Sequence, residues 1–217
     1  MLCWEFPPRV VGGLGMACAG LARAMAERMD LRVVTPPVSH YGAYASAYGD
    51  GMQAEVDGFA GVVADAVSRC GQIDFLYAHD WMTFPAAEWA ARRFRVPWVA
   101  HVHSVESDRA AGGAGDAAIR QIEARGLRAA DRIIAVSRKT AGDVTRDYGI
   151  DAGLIEVVWN GVEPVRAWRA CGDEKRVVFL GRMTEQKSPR RFLQMAAQVA
   201  RGRPELRFTM AGDGEQL

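Results

Sequence analysis

The stretch MLCWEFPPRVVGGLGMACAGLARAMA, residues 1–26, joins a short apolar run, a loop with three glycines and a long helical pattern. The apolar run predicts a strand at Leu2–Glu5, and the helical pattern extends from Gly15 to Met29. Where a strand leads through glycines into a helix, backbone N–H groups and the helix dipole favour an anion. The stretch therefore predicts either a phosphate cradle or a tight strand-to-helix turn.

The same alternation continues along the chain, and it is typical of β-α-β units and a parallel sheet. The predicted strands are Leu2–Glu5, Leu31–Thr35, Phe75–Ala78, Trp98–Val102, Arg132–Val136 and Ile155–Trp159. The predicted helices are Gly15–Met29, Val56–Arg69, Thr83–Phe94, Ala117–Ala129 and Ser137–Tyr148. Ser137 as N-cap and Gly149 as a stop signal support the bounds of the last helix.

A turn signal at Asn160–Gly161 interrupts the pattern, which restarts after a stretch without a clear period. Arg176–Leu180 and Leu206–Ala211 predict strands, and Ser188–Arg201 predicts a helix between them. We therefore predict an α/β fold with three parts: a doubly wound Rossmann-type domain at 1–165, a linker at 166–175, and the first β-α-β unit of a second domain at 176–217.

The composition is that of a globular protein without a charge excess. Of the 217 residues, 49% are hydrophobic and 24% charged, and the net charge of +1 does not favour nucleic acid as a partner. The four cysteines form no C-x-x-C pair, which fits a reducing cytoplasm better than a disulfide framework. Since no apolar run approaches the roughly 18 residues of a membrane span, we expect neither secretion nor anchoring. The oligomeric state stays open.

Polar side chains follow two neighbouring predicted strands. His79 and Asp80 come after one strand, and His101 and His103 lie at the end of the next. Ligands of open α/β sheets bind at the carboxyl ends of strands, so these residues are candidates for a binding site. His101 and His103 are two positions apart and also suit a metal pair, but no H-x-x-x-H or cysteine partner accompanies them, so we predict no metal. The alternative for each is a buried structural histidine.

The segment GRMTEQK, residues 181–187, carries two cations between a predicted strand and helix. Arg182 follows the strand and Lys187 precedes the helix. A fixed Arg and Lys in such positions can bind a diphosphate and neutralise the charge that it gains on leaving. The sequence has no D-x-D pair to hold a metal ion, so these cations would replace it. The alternative is a pair of solvated surface charges.

Eight segments, in order, resemble landmarks of the retaining glycosyltransferases of GT-B architecture, specifically the glycogen-synthase-like group. They are WEFPPRVVGGLG, AHDW, HVHSVESDR, ADRIIAVS, YGI, VVWNGVE, GRMTEQK and AGDG. The resemblance covers nearly the whole chain and implies two Rossmann-like domains. It also implies transfer of a sugar, such as a hexose, from a nucleotide-diphosphate sugar to the hydroxyl of a carbohydrate or other acceptor. Retention at the anomeric carbon, without a cofactor or metal, is part of the same expectation.

The resemblance assigns roles to five residues. In this group the first glycine loop faces the cleft between the domains, so Gly13 and Gly15 would line it under the donor phosphates. His103 matches the histidine that contacts the transferred sugar near the reacting carbon, and it is the candidate catalytic residue. Arg182 and Lys187 match the pair that binds the donor diphosphate.

Four further residues receive looser roles from the same resemblance. Glu106, Asp108 and Arg109 stand where this group meets the acceptor. His79 matches a position near the same cleft and would support it. The implied transition state has oxocarbenium character and a diphosphate gaining charge, so stabilising the leaving group would be the main electrostatic task.

Three features depart from the group's pattern. Glycogen and starch synthases carry a lysine two residues before the double glycine, where this chain has Val10, so the resemblance does not extend to ADP-glucose or a glucan acceptor. The region 38–74 is shorter than usual. The E-x7-E element, whose two glutamates hold the donor sugar and ribose, is absent from the sequence. We therefore expect a fragment of a glycosyltransferase that is inactive as 217 residues.

Two alternatives belong to other functional classes. The first is a non-catalytic remnant that binds a sugar or a partner through its first domain. The second is a nucleotide-dependent oxidoreductase, which needs a G-x-G-x-x-G loop and an acidic residue about 20 positions later. The GGLG loop, followed at that distance by Arg32 and Val33, does not fit this second alternative.

Overall fold

The computed structural model describes residues 1–10, 12–37, 52–110, 112–164, 175–214 and 216–217. They belong to two compact units, Met1–Val162 and Glu163–Leu217. Except for Lys175, the predicted linker at 166–175 lies outside the described residues. The helices are α1 (Gly13–Ala26), α2 (Met52–Cys70), α3 (Phe84–Phe94), α4 (Glu106–Arg109), α5 (Ala117–Ala129), α6 (Arg138–Tyr148) and α7 (Pro189–Ala200). The strands are β1 (Leu76–His79), β2 (Trp98–Val102), β3 (Arg132–Ala135), β4 (Ile155–Val157), β5 (Arg176–Leu180) and β6 (Arg207–Ala211).

The first unit is built on a parallel sheet in the order β1-β2-β3-β4. Because parallel neighbours need a crossover connection, a helix lies in each link, and the chain order equals the spatial order. The register pairs His79 of β1 with His101 of β2. All the strands end at the same edge of the sheet, as expected for the predicted α/β class.

Two predicted strands, Leu2–Glu5 and Leu31–Thr35, are present as single bridges and not as regular strands. Leu2 bridges both Val34 and Ala78 in parallel orientation. Its N–H donates to the carbonyl of Tyr77 at 2.7 Å. The ladder is short because Pro7, Pro8, Pro36 and Pro37 follow these segments and have no N–H to donate.

Most other predicted bounds agree with the structure to within a few residues. Strands β2 and β5 and helix α5 have the predicted bounds, whereas β4 ends two residues early at Val157. Both predicted signals around α6 are confirmed. The hydroxyl of Ser137 accepts the N–H of Thr140 at 3.0 Å, and Gly149 takes the left-handed conformation with φ of 66°.

The two faces of the first sheet carry different cores. One face packs Leu2, Ala78, Trp98 and Ala100 under residues of α2, α3 and α5. On the other face, Met1, Cys3 and Tyr77 pack against Cys18 and Ala22 of α1. Because alternate residues of a strand point to opposite faces, His79 and His101 share the α1-covered face with Tyr77 and Val99.

The second unit consists of the parallel pair β5-β6 and the helix α7 that connects them. Three phenylalanines hold the helix on the pair. Phe192 of α7 lies 5.5 Å from Phe179 and 6.3 Å from Phe208, measured between ring centroids. Leu180, by contrast, is 82% exposed. Within residues 175–214, this unit therefore has a small aromatic core and little other cover.

Candidate active site

Three histidines meet at the carboxyl ends of β1 and β2 in the first unit. The ring centroids of His79 and His101 are 4.8 Å apart, and those of His101 and His103 are 4.4 Å apart in a stacked arrangement. The strand register causes this meeting, because His79 and His101 are direct partners and His103 follows two residues later. Tertiary structure thus joins residues that the sequence placed on separate strands.

Hydrogen bonds connect these rings to each other and to their neighbours. Nδ1 of His79 and Nε2 of His103 are 3.0 Å apart. On its other side, Nδ1 of His103 lies 3.4 Å from the side-chain amide of Asn160. The hydroxyl of Tyr77 lies 3.0 Å from Nδ1 of His101. Both ring nitrogens of His103 therefore have partners. Because the Asn160 amide nitrogen can only donate, Nδ1 of the neutral His103 ring accepts, and its Nε2–H donates to Nδ1 of His79.

Burial keeps all three imidazoles neutral. It lowers the pKa of His101 to about 3 and that of His103 to about 4. The pKa of His79 is also well below its usual value, first because of burial and then because of the two neighbouring rings. At pH 7 the site therefore presents uncharged rings that can donate or accept hydrogen bonds but do not attract an anion.

Asp80 holds the main chain of His103 in place. Its carboxylate, 5% exposed, accepts the backbone N–H of His103 at 2.7 Å. The residue itself has φ of 57° and ψ of 168°, which non-glycine residues rarely adopt, so the surrounding contacts must hold it there. Burial raises the pKa of Asp80 to about 6, although the Arg109 charge and backbone N–H donors oppose the shift. The AHDW segment signalled this residue, but the sequence did not show its contact with His103.

The glycine loop has two different environments for its two candidate residues. The N–H of Gly12, at the N-cap of α1, donates to the Glu5 carboxylate at 3.0 Å. A Cβ on Gly15 would lie 3.0 Å from side-chain atoms of Glu5 and Val10, whereas one on Gly13 would meet no heavy atom within 4 Å. Close packing therefore requires a glycine at position 15, while the backbone at Gly13 is open to a ligand. Their role under the donor phosphates stays a prediction.

The candidate acceptor residues belong to a buried charge network. Arg109 donates to Glu106 at 3.0 Å, to Glu123 at 2.5 Å and to the carbonyl of Ser104 at 2.9 Å. The hydroxyl of Tyr148 also donates to Glu123, whose pKa burial raises. The polar atoms of Glu106 and Arg109 are thus already engaged inside the fold.

Asp108, the third candidate acceptor residue, lies outside that network. Its carboxylate pairs with Lys139 at 2.5 Å, and its side chain is 32% exposed. The acceptor role of Glu106, Asp108 and Arg109 stays a prediction. No sequence pattern indicated Glu123 and Tyr148, because each is a single polar residue within a helical pattern, which gives no local signal of a buried network.

Arg182 and Lys187 belong to the second unit. Arg182 follows β5 after Gly181, and Lys187 ends the short turn Glu185–Lys187 before α7, as the sequence predicted. Both are exposed, and neither side chain has an ion pair or hydrogen bond with another residue that the structure describes. Binding of a donor diphosphate by this pair stays a prediction.

The sequence profile of Glycosyltransferase Family 4 matches residues 11–166, which is more than half of the chain. The chain belongs to this glycosyltransferase family. Similarity beyond the profile extends over nearly all of its residues. An uncharacterised glycosyltransferase of Methanocaldococcus jannaschii is 26% identical over 99% of this chain. A glycogen synthase of Mycobacterium tuberculosis is 25% identical over all of it.

The fold is that of the GT-B glycosyltransferases. HepE of Anabaena, solved in complex with UDP-glucose, matches 98% of this chain with a TM-score of 0.69 at 16% identity. The chain spans 63% of the M. jannaschii relative, 61% of the glycogen synthase and 60% of the HepE chain. No helix among the described residues of this family member is long and apolar enough to cross a membrane.

Proposed function

We propose that this glycosyltransferase moves a hexose from a nucleotide-diphosphate sugar to an acceptor hydroxyl, with retention at the anomeric carbon. One observation carries the proposal: His103, the residue that resembles the family's sugar-contacting histidine, lies at the carboxyl end of β2 with its main chain bound to Asp80. A nucleotide sugar as donor is supported by the HepE structure, which contains UDP-glucose.

His103 would act as a neutral hydrogen-bonding group beside the transferred sugar. An uncharged ring suits an oxocarbenium-like transition state, since a nearby imidazolium would repel the developing positive charge. The contact between Nδ1 of His103 and Asn160 is exposed and 3.4 Å long. A sugar hydroxyl can therefore replace Asn160 there at little cost in lost hydrogen bonding.

Arg182 and Lys187 would neutralise the departing diphosphate. As the bond between the anomeric carbon and the diphosphate breaks, negative charge grows on the phosphate oxygens, and the two cations stabilise it. The acceptor oxygen forms the new bond to the anomeric carbon, and its proton passes to the departing diphosphate. Because the sequence has no D-x-D pair, we propose that these two cations, and not a metal ion, neutralise the departing diphosphate.

The second candidate function is binding without turnover, and one observation favours it. The 217 residues contain no E-x7-E pair to hold the donor sugar and ribose. We accordingly propose that these residues alone do not turn over donor. In that form the chain would be a sugar- or partner-binding module.

One experiment separates these functions. The chain, and a version extended by a family segment that carries E-x7-E, are each incubated with UDP-glucose, ADP-glucose or GDP-mannose and a panel of hydroxyl acceptors. Release of nucleoside diphosphate and the anomeric configuration of the product by NMR are measured. Turnover with retention in the extended version supports the transferase, and donor binding without turnover in both versions supports the binding module. Failure of both versions to bind any donor in an isothermal titration contradicts the transferase and the sugar-binding module.

A further inference from the structure

The α1-covered face of the first sheet carries an unusual concentration of metal-ligating side chains. Cys3, Cys18, His79, His101 and His103 form two overlapping groups that share His79, and within each group the ligand atoms all lie within 4.8 Å of one another. Four of the five are buried. Neither the sheet nor the proposed sugar transfer requires three imidazoles in one place.

The distances within the histidine group approach those of a coordination sphere. A tetrahedral zinc ion with Zn–N bonds of about 2.0 Å places its nitrogen ligands about 3.3 Å apart. Nδ1 of His79 and Nε2 of His103 are already 3.0 Å apart. All ligand nitrogens of the group, those of His101 included, lie within 4.8 Å of one another, so a movement of at most about 1.5 Å brings them to this separation.

The free and bonded nitrogens of the rings also fit a metal site. Nε2 of His101 is buried without a hydrogen-bond partner in the part of the chain that the structure describes. Its Nδ1 contacts the hydroxyl of Tyr77. Nδ1 of His103 lies 3.4 Å from the amide nitrogen of Asn160, and a half-turn of that amide presents Oδ1 to accept the Nδ1–H of a metal-bound ring. Metal-binding histidines commonly bind such an outer partner through the second ring nitrogen, which orients the first.

We propose that His79, His101 and His103 form a binding site for one zinc ion, with Tyr77 and Asn160 orienting the outer ring nitrogens. Three imidazoles suit a borderline cation such as Zn²⁺ and leave its fourth position open. In the sequence, His101 and His103 had no third ligand. The strand register places His79 beside His101, and His79 is that third ligand. An ion here would occupy His103 and inhibit sugar transfer. This consequence rests on the proposed function, whereas zinc binding does not.

The test is zinc binding by the full chain after treatment with EDTA. Binding is followed by isothermal titration with zinc chloride, and the bound metal is counted by mass spectrometry after dialysis. We expect one ion per chain and at least a 10-fold weaker affinity in His101→Gln. His40→Gln, which removes the one histidine outside the group, is the matched control and should bind like the parent chain. No stoichiometric uptake, or equal loss in both variants, overturns the proposal.

Tyr77→Phe provides a second variant in case His101→Gln does not fold. It keeps the ring in place and removes the hydroxyl that contacts His101, so zinc affinity should fall about 10-fold while metal-free thermal unfolding changes little. An unchanged affinity in a folded Tyr77→Phe chain counts against the site. Because no donor or acceptor is present in these titrations, their failure would leave the transferase proposal intact.

Cobalt distinguishes the histidine group from the cysteine group that shares His79. A Co²⁺ ion bound by imidazoles lacks the strong near-ultraviolet charge-transfer band that thiolate ligands produce. We expect no such band in the parent chain. A strong band that disappears in Cys18→Ser but not in Cys70→Ser overturns the assignment, because the ion would then be held by Cys3 and Cys18.

Discussion

His103 in the first unit and Arg182 in the second illustrate two ways of presenting a functional side chain. His103 is fixed by a backbone bond to Asp80 and by ring contacts with His79 and Asn160. Arg182 is exposed at the end of a two-stranded sheet. The imidazole is therefore positioned before any ligand arrives, whereas the guanidinium depends on the charge of its ligand. Substitutions of the buried residues around His103 should affect folding and site geometry together, and those at Arg182 should affect activity alone.

The largest expected effect is on folding, from Arg109→Ala. Arg109 is 11% exposed and neutralises Glu106 and Glu123, so its loss leaves two buried carboxylates without a cation. The free energy of unfolding should fall by about 3–5 kcal/mol. Chemical denaturation monitored by circular dichroism measures it.

Arg146→Ala is the matched control for that experiment. Arg146 also pairs with carboxylates, those of Asp143 and Asp147, but its own side chain is 64% exposed and Lys139 remains as a second cation on Asp143. Water reaches the Arg146 guanidinium and Lys139 still neutralises Asp143, so the loss of stability should be clearly smaller than in Arg109→Ala. Equal losses in the two variants would contradict the distinction between a buried and an exposed arginine.

Arg182→Ala should produce the next largest effect, and on activity only. Loss of one charge-assisted contact to the diphosphate costs about 2–4 kcal/mol of transition-state stabilisation, which is roughly a 30- to 1,000-fold fall in kcat/KM. The measurement uses the extended version that turns over, with thermal unfolding as the check on folding. Arg201→Ala, at the opposite end of α7, is the control. Near-normal turnover of Arg182→Ala would remove the proposed role.

The two glycines of the α1 loop provide a paired test of the first unit. An added Cβ at Gly15 meets Glu5 and Val10 at 3.0 Å, so Gly15→Ala should lower the free energy of unfolding by about 1–3 kcal/mol. Gly13→Ala adds its methyl group to open space and should leave stability nearly unchanged. If donor phosphates approach that backbone, Gly13→Ala should instead weaken donor binding. A Gly13→Ala chain that is destabilised but binds donor normally would show that Gly13 serves packing and does not face a ligand.

The histidine group predicts a pH dependence of stability in the metal-free chain. Its members have folded-state pKa values below the ordinary value of 6.5, so they contribute stability above pH 6.5 that is lost as the pH falls toward 4. The pKa values of Asp80 and Glu123 are raised, so these two carboxyls increase the stability as the pH falls. Because the three imidazoles outnumber them, we expect the net stability to decrease.

His101→Gln should remove one of these titrations. Each proton contributes roughly 1.4 kcal/mol per pH unit, so the variant should show a slope smaller by about that amount between pH 4 and 6. Urea denaturation in EDTA at several pH values measures it. An unchanged slope would show that His101 titrates normally in the folded chain.

How much the sequence predicted depends on whether a feature is local. The bounds of α5, β2 and β5 and the Ser137 and Gly149 signals follow from residues within one turn or strand, and they were predicted correctly. The bridge at Leu2 was predicted as a full strand, because apolar spacing does not reveal how many ladder bonds a partner supplies. The family itself was evident from eight segments in order.

For the candidate site, the sequence by itself determined which residue types stand at the strand ends: the histidines, Asp80, and the pair Arg182 and Lys187. Only the tertiary structure decided what each of them contacts. Strand register brought His79 beside His103, and helix packing enclosed Arg109 between Glu106 and Glu123. The physical reason is that register and packing depend on partners far away in the chain, whose positions no local pattern encodes.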